Sequence, residues 1–162
     1  MNKFNLFSVD CDTTYLPHID NDKLAQEVLS HYKRLSDDQN SCLFEDTEFN
    51  PLPGSEGYKL FDKIEDIVRQ KGYHIWEWWS QIHHPLESTN THSHGNYELA
   101  FVYYVKVPEG AGDLVFKLSR LTEAVKPEEH KLIIFPAWLE HYVAKNMGKD
   151  IRISIAGNIG RP

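Results

Sequence analysis

The sequence predicts a mostly β fold with α, an antiparallel sandwich or barrel that N-terminal helices cover on one side. Helical periodicity of apolar residues is confined to residues 1–71, and short aromatic and β-branched runs between turn residues fill the rest. No helical segment separates those runs, so parallel βαβ units are not expected. No repeat or low-complexity linker divides the chain. We therefore expect 1–162 to form one domain, with a helical front at 1–72 and a barrel at 73–160.

Two amphipathic helices are predicted in the helical front. Asp22 to Leu35 has apolar residues near helical spacing after an Asp-rich start that suits capping. The proline- and glycine-containing segment Ser36 to Gly57 is predicted to be a loop. Tyr58 to Lys71 is the second helix, and Gly72 marks its end.

After Gly72 the chain becomes rich in aromatic and β-branched residues, which predicts strands. Pro108 to Asp113 has the composition of a hairpin turn. The predicted strands are Tyr73 to His83, Tyr97 to Val107, Leu114 to Leu118, Lys131 to Pro136 and Ile151 to Asn158.

Composition and charge exclude several classes of function. Hydrophobic residues are 41% and charged residues 25%, near the globular average, and the apolar run Leu99 to Val105 is too short to span a bilayer. A net charge of −7 repels phosphate backbones and anionic lipids, so we expect neither nucleic acid nor membrane as a partner. Met1 to Asp12 does not resemble a signal peptide, which favours a cytoplasmic location. Cys11 and Cys42 form no metal-binding or redox spacing.

The histidines suggest a metal site. Four of the nine, His83, His84, His92 and His94, fall within twelve residues. His92 and His94 are two residues apart, which on a strand places both imidazoles on one face. His141 follows an apolar strand and is a candidate third ligand of an open metal site. The alternative is that these are ordinary loop and turn histidines.

Arg152 and Ser154 are also two residues apart, on the last predicted strand. An arginine that points into a barrel needs an anionic partner, because burying an unpaired guanidinium is costly. That partner is either an internal Glu or Asp, or the carboxylate of a bound organic acid.

An ordered set of segments resembles the iron(II)/2-oxoglutarate-dependent oxygenases of marine bacteria and their phages. The resemblance covers about Trp76 to Ile159, and it implies a double-stranded β-helix, or jelly roll. The segments that carry it are His92-Ser93-His94, Tyr97 to Val107, Gly112 to Phe116, Leu132 to Pro136, Leu139-Glu140-His141 and Arg152 to Asn158.

The resemblance implies a set of site residues. His92 and His141 would bind iron, and Arg152 with Ser154 would bind the distal carboxylate of 2-oxoglutarate. His94 stands where these oxygenases usually have a carboxylate, so three neutral imidazoles leave Fe(II) with its full charge, and such a triad also suits zinc.

Neighbouring residues complete the predicted site. Tyr103 and Tyr104 project to opposite faces of a strand, and the position within the family favours Tyr104 as the one near the cosubstrate. Trp76, Trp78, Trp79 and Gln81 lead to the site, although tryptophans at this density are more typical of a core than of a ligand platform.

The resemblance implies an enzyme that hydroxylates a C–H bond while 2-oxoglutarate and O2 yield succinate and CO2. The alternative is a cupin-like protein, enzyme or sensor, in which His92, His94, Glu98 and His141 hold manganese, nickel or zinc without 2-oxoglutarate. A catalytically inactive jelly roll that only binds is a third possibility. Arg152 distinguishes the first two, because it has a task only in the oxygenase.

The sequence names no primary substrate. Three segments are expected to rim the barrel, where specificity resides in such folds. They are Cys42 to Gly57, His83 to Thr91 and Ser119 to His130.

Overall fold

The computed structural model describes residues 8–31 and 45–162. Two helices precede the main run of strands, α1 (Asn21–His31) and α2 (Glu56–Arg69). The strands are β1 (Asp12–Tyr15), β2 (Glu45–Glu48), β3 (His74–His83), β4 (Thr89–His92), β5 (Leu99–Lys106), β6 (Leu114–Leu118), β7 (Leu121–Val125), β8 (Lys131–Pro136), β9 (Glu140–Val143) and β10 (Arg152–Gly160). Neither of the two described helices is long and apolar enough to cross a membrane.

The strands form two antiparallel sheets. The large sheet has the order β1-β8-β5-β10-β3-β2, and the small sheet has the order β4-β9-β6-β7. Strand β10 lies between β5 and β3 and is buried along its whole length, which makes it the central strand of the large sheet. The mostly β architecture with helices at its N-terminal side is as predicted.

The large sheet separates two cores. Its outer face packs against the helices through residues such as Leu60, Ile64 and Ile153. Its inner face packs against the small sheet through residues such as Val102 and Phe135. Because side chains alternate along a strand, each central strand contributes to both cores.

Local signals explain why α2 lies where it does. The Ser55 hydroxyl accepts the Tyr58 N–H and caps the first turn. Leu60, Ile64 and Val68 recur at helical spacing and form the buried stripe. Gly72 has φ +79°, a conformation that favours glycine, and it turns the chain into β3.

The first helix agrees with the prediction as far as the structure describes it, whereas the loop after it differs. The described helix begins at Asn21 and runs to His31, and residues 32–35 lie outside the described residues, as does Cys42. The predicted loop Ser36 to Gly57 contains β2 at residues 45–48, and its residues 36–44 are not among those described. Strand β2 has the sequence EDTE, and because these residues have low β propensity, the sequence pattern does not predict a strand there.

Further short strands were missing from the prediction. Strands β1, β4, β7 and β9 have four or five residues each, and pairing with a longer neighbour holds them extended. All three segments expected only to rim the barrel therefore carry strands: β2 lies within Cys42 to Gly57, β4 begins at the end of His83 to Thr91, and β7 lies within Ser119 to His130.

Candidate metal and cosubstrate site

Three histidines from two neighbouring strands meet between the sheets. His92 ends β4 and pairs directly with His141 on β9. His94 lies just beyond β4, where its backbone N–H donates to the Ala137 carbonyl at 2.8 Å. One ring nitrogen from each of the three lies within 4.8 Å of the others, and the Nε2 atoms of His94 and His141 are 3.3 Å apart. The three histidines that the sequence analysis grouped as candidate ligands therefore lie together in the structure.

Backbone carbonyls fix two of the three imidazoles. The Nδ1 atom of His92 lies 2.8 Å from the Asn90 carbonyl, and that of His141 lies 2.9 Å from the Leu139 carbonyl. A carbonyl only accepts hydrogen bonds, so each Nδ1 carries the proton and each Nε2 presents a lone pair. Burial lowers the pKa values of His94 and His141 to about 4, so both are neutral at pH 7, as metal ligands must be.

Aromatic side chains surround the cluster. The Trp79 ring stacks on His94 with centroids 5.8 Å apart, and Phe135 meets His141 edge-on at 4.8 Å. Phe116 lies against both Phe135 and His141. These rings orient the imidazoles and exclude water from their inner side.

Arg152 is fully buried on the inner face of β10. Its Nη1 donates to the Ser154 hydroxyl at 3.1 Å and lies 3.3 Å from Nδ1 of His83, and its guanidinium sits 5.2 Å from the centre of the Tyr104 ring. Its Nε and Nη2 atoms have no hydrogen-bond partner among the described residues. Arg152 pairs with no carboxylate in the described part of the chain, so the internal Glu or Asp partner is not found there.

His83 is a site residue to which the sequence analysis assigned no task. It is fully buried opposite Arg152 on β3, with Nε2 2.8 Å from the Thr89 hydroxyl. Burial, followed by the charge of Arg152, lowers its pKa to about 3, so it stays neutral and its Nδ1 accepts from the guanidinium. Its position on the strand, an even number of residues from Trp79 and Gln81, was the available signal.

Tyr103 and Tyr104 point to opposite faces, as predicted. Tyr103 faces the helices and donates to Oδ1 of Asn21 at 2.8 Å. Tyr104 faces Arg152, and burial raises its pKa to about 12 although the adjacent guanidinium acts to lower it. Its hydroxyl forms no hydrogen bond of acceptable geometry within the described residues. The favoured tyrosine is therefore the one beside the guanidinium.

The tryptophans on β3 have three different environments. Trp78 belongs to the outer core against Phe49 and Phe61, as the core interpretation expected, whereas Trp76 is 58% exposed. Trp79 lines the site together with Gln81, so the core interpretation was wrong for this residue. Glu98 lies beside Gly160 and is not a member of the three-histidine cluster.

The triad and Arg152 border one enclosed cavity of about 20 Å³. Trp79, Gln81 and Thr89 line it with them, and apolar residues from both sheets complete its wall. That volume is about that of one water probe, so a five-carbon diacid fits only if lining side chains move.

Comparisons with known proteins agree with this architecture. Residues 117–158 match the family described as "Putative 2OG-Fe(II) oxygenase", a segment that contains His141, Arg152 and Ser154 but not His92 or His94. A search of curated protein sequences finds no match.

Several solved structures share the fold. A viral collagen prolyl hydroxylase from Paramecium bursaria Chlorella virus-1, solved with 2OG, has a TM-score of 0.72 at 16% identity, covering 94% of this chain and 96% of its own. A Pseudomonas putida prolyl-4-hydroxylase has a TM-score of 0.71 at 15% identity, with 94% and 92% covered. The carbocyclase SnoK of nogalamycin biosynthesis has a TM-score of 0.66 at 8% identity, with 86% and 72% covered.

These neighbours confirm the predicted jelly roll with flanking helices. Together with the match over residues 117–158, they confirm the resemblance to iron(II)/2-oxoglutarate-dependent oxygenases that was drawn from the sequence.

Proposed function

We propose that the protein hydroxylates a C–H bond of a primary substrate, with His92, His94 and His141 as iron ligands and Arg152, Ser154 and Tyr104 as the 2-oxoglutarate site. One observation carries the proposal: Arg152 is buried in the cavity that the triad borders, and in the described chain its Nε and Nη2 have no acceptor and no carboxylate pairs with it. A buried guanidinium of this kind is expected to bind an anion, and a dicarboxylate that also reaches the metal satisfies both ends.

The donor set suits a divalent transition metal. Two imidazole nitrogens that each lie about 2.1 Å from one ion are roughly 3–3.4 Å apart, which agrees with the 3.3 Å between Nε2 of His94 and of His141. Imidazole ligands are compatible with iron, zinc, nickel and copper, so the triad by itself fits both the oxygenase and the cupin-like alternative. Arg152, not the triad, favours the oxygenase.

In the proposed reaction, a substrate C–H, O2 and 2-oxoglutarate give a C–OH, succinate and CO2. One oxygen atom of O2 enters the new hydroxyl group, and the other enters succinate. Bound iron supplies the O2 activation. Arg152 neutralises the distal carboxylate, and Ser154 and His83 hold its guanidinium in place. Tyr104 offers a hydroxyl that has no other partner. The aromatic wall keeps water from the reacting centre.

Anaerobic titration of the protein with Fe(II) and then 2-oxoglutarate tests the proposal. We expect a metal-to-ligand charge-transfer band that appears only when both are present and that is lost in Arg152→Ala at the same 2-oxoglutarate concentration. Isothermal titration of the Mn(II)-loaded protein measures the same binding without turnover. Metal binding with no 2-oxoglutarate binding in the wild type would refute the proposal and favour the cupin-like alternative.

A further inference from the structure

An open groove of about 680 Å³ adjoins the candidate metal site. Trp79 lines both this groove and the cavity of the triad, and its indole ring stacks on His94. One lining residue of the groove therefore contacts a candidate metal ligand. Its lining is Asn50, Phe61, Ile75, Trp76, Glu77, Trp78 and Trp79.

Glu77 is the charged group of this groove, and neutral donors hold it in place. Its Oε1 accepts from Nδ2 of Asn158 at 2.6 Å, and Asn158 is only 4% exposed. The Tyr97 hydroxyl also donates to this carboxylate, which raises the pKa of Tyr97. Glu77 forms no ion pair with any residue that the structure describes. Two neutral donors therefore hold this charge in position, and no cation of the described residues pairs with it.

The remaining lining favours a cation over an anion. Trp76 is 58% exposed, and indole faces attract ammonium and guanidinium groups. No lysine or arginine is among the groove's lining residues in the described chain, and the protein carries a net charge of −7. A carboxylate flanked by exposed tryptophan is complementary to an organic cation.

We propose that this groove binds the cationic group of the primary substrate, an alkylammonium or guanidinium, and directs the attached carbon chain past Trp79 toward the triad. The inference rests on the proposed oxygenase function. Glu77 and Trp79 share one face of β3 about 6.6 Å apart, so several bonds separate the cation from the carbon that is oxidised. The substrate class is an aliphatic amine or guanidine, either a free molecule or a side chain of a peptide.

Binding is tested without turnover by NMR of the indole N–H groups, assigned with single Trp→Phe variants. We expect n-butylguanidinium to shift the Trp76 and Trp79 signals of the wild type and neutral n-butylurea to leave them in place. Glu77→Gln removes the charge but keeps an oxygen for Asn158 and Tyr97, and it should raise the Kd of the cation at least about fivefold. Glu109→Gln removes one exposed charge from a distant turn and should bind like the wild type.

Equal binding of n-butylurea, or wild-type affinity in Glu77→Gln, would overturn the inference. A second measurement follows 2-oxoglutarate consumption by the iron-loaded protein with free L-arginine, L-citrulline or the peptide acetyl-Gly-Arg-Gly-amide. Stimulation by L-arginine indicates a free substrate, stimulation by the peptide alone indicates a side chain, and equal stimulation by L-citrulline contradicts a charge-selective groove. Cation binding in a protein that does not bind 2-oxoglutarate would refute the proposed function and leave the groove's charge selectivity standing.

Discussion

The two faces of the large sheet satisfy their polar groups to different degrees. On the outer face, the Tyr103 hydroxyl donates to Asn21, whose own amide donates to the Tyr104 and Val105 carbonyls. On the inner face, the neighbouring Tyr104 hydroxyl has no hydrogen-bond partner at residues 8–31 or 45–162. The buried side-chain atoms without partners in the described chain are on Trp79, Tyr104, Arg152 and Asn158, all near the candidate site.

This difference separates stability from function. An unsatisfied buried polar group costs free energy, so a fold keeps several of them together only where a ligand completes them. The outer face should therefore determine the free energy of unfolding, and the inner face should determine metal and cosubstrate affinity. The predictions below test that division, and each pairs a measurement of stability with one of binding.

The largest effect is expected from His141→Ala. Loss of one of three ligands should lower metal affinity by more than the roughly 10- to 100-fold that loss of a ligand's hydrogen-bond partner costs. Metal analysis after dialysis measures it, with exposed His18→Ala as the matched control. Normal occupancy in His141→Ala would rule out a shared site.

In His94→Asp, which restores the usual ligand set of these oxygenases, improved iron retention would show that the third histidine is tolerated and not required.

Arg152→Met should affect binding and stability in opposite directions. It removes a charge-assisted contact worth about 2–5 kcal/mol, so the Kd for 2-oxoglutarate should rise at least about tenfold with metal content unchanged. It also replaces a buried, incompletely paired charge by an apolar chain, so the free energy of unfolding should stay level or increase. Loss of stability with unchanged 2-oxoglutarate affinity would instead indicate a structural ion pair.

Ile64→Ala tests the outer face. Ile64 is fully buried in the stripe of α2 that packs on the sheet, and truncation should cost about 2–5 kcal/mol of unfolding free energy with no change in 2-oxoglutarate affinity. We propose that the helical front and the barrel unfold together, because amphipathic helices need the sheet to bury their apolar stripe. Calorimetry should therefore show one transition in both proteins, and two separated transitions would contradict a single domain.

Glu65 gives the outer face a dependence on pH. Burial raises its pKa, but hydrogen bonds from the Ile75 N–H, His74 and Arg69 outweigh burial and hold the pKa below its ordinary value of 4.5. A lowered pKa in the folded state contributes stability above pH 4.5 that is lost as the pH falls through the folded value. Denaturant titrations from pH 6 downward should show this loss in the wild type and a shallower one in Glu65→Gln. Identical slopes would contradict the assignment.

The long strands and the triad could be predicted because their signals are local. His92 and His94 are two residues apart in the sequence, although only His92 lies on β4, and Arg152 and Ser154 share one face of β10. Spacing along β3 puts His83 and Trp79 on one face, but it does not identify their partners, Arg152 and His94, which are brought to them only by the tertiary fold. Strands β1 and β2 escaped prediction because tertiary pairing, not propensity, keeps them extended.

The smallest expected effects come from the adjacent tyrosines, and they compare the two faces most directly. Tyr103→Phe removes the hydrogen bond from the Tyr103 hydroxyl and leaves Oδ1 of Asn21 without this donor. It should therefore cost about 0.5–1.5 kcal/mol of unfolding free energy without changing 2-oxoglutarate affinity. Tyr104→Phe removes a hydroxyl that has no partner, so stability should be unchanged or slightly higher. If that hydroxyl binds the cosubstrate, the Kd for 2-oxoglutarate in the same variant should rise by roughly 2- to 12-fold. Denaturant titration and isothermal titration of both variants measure the four quantities, and equal effects of the two substitutions on stability would show that the faces do not differ as argued.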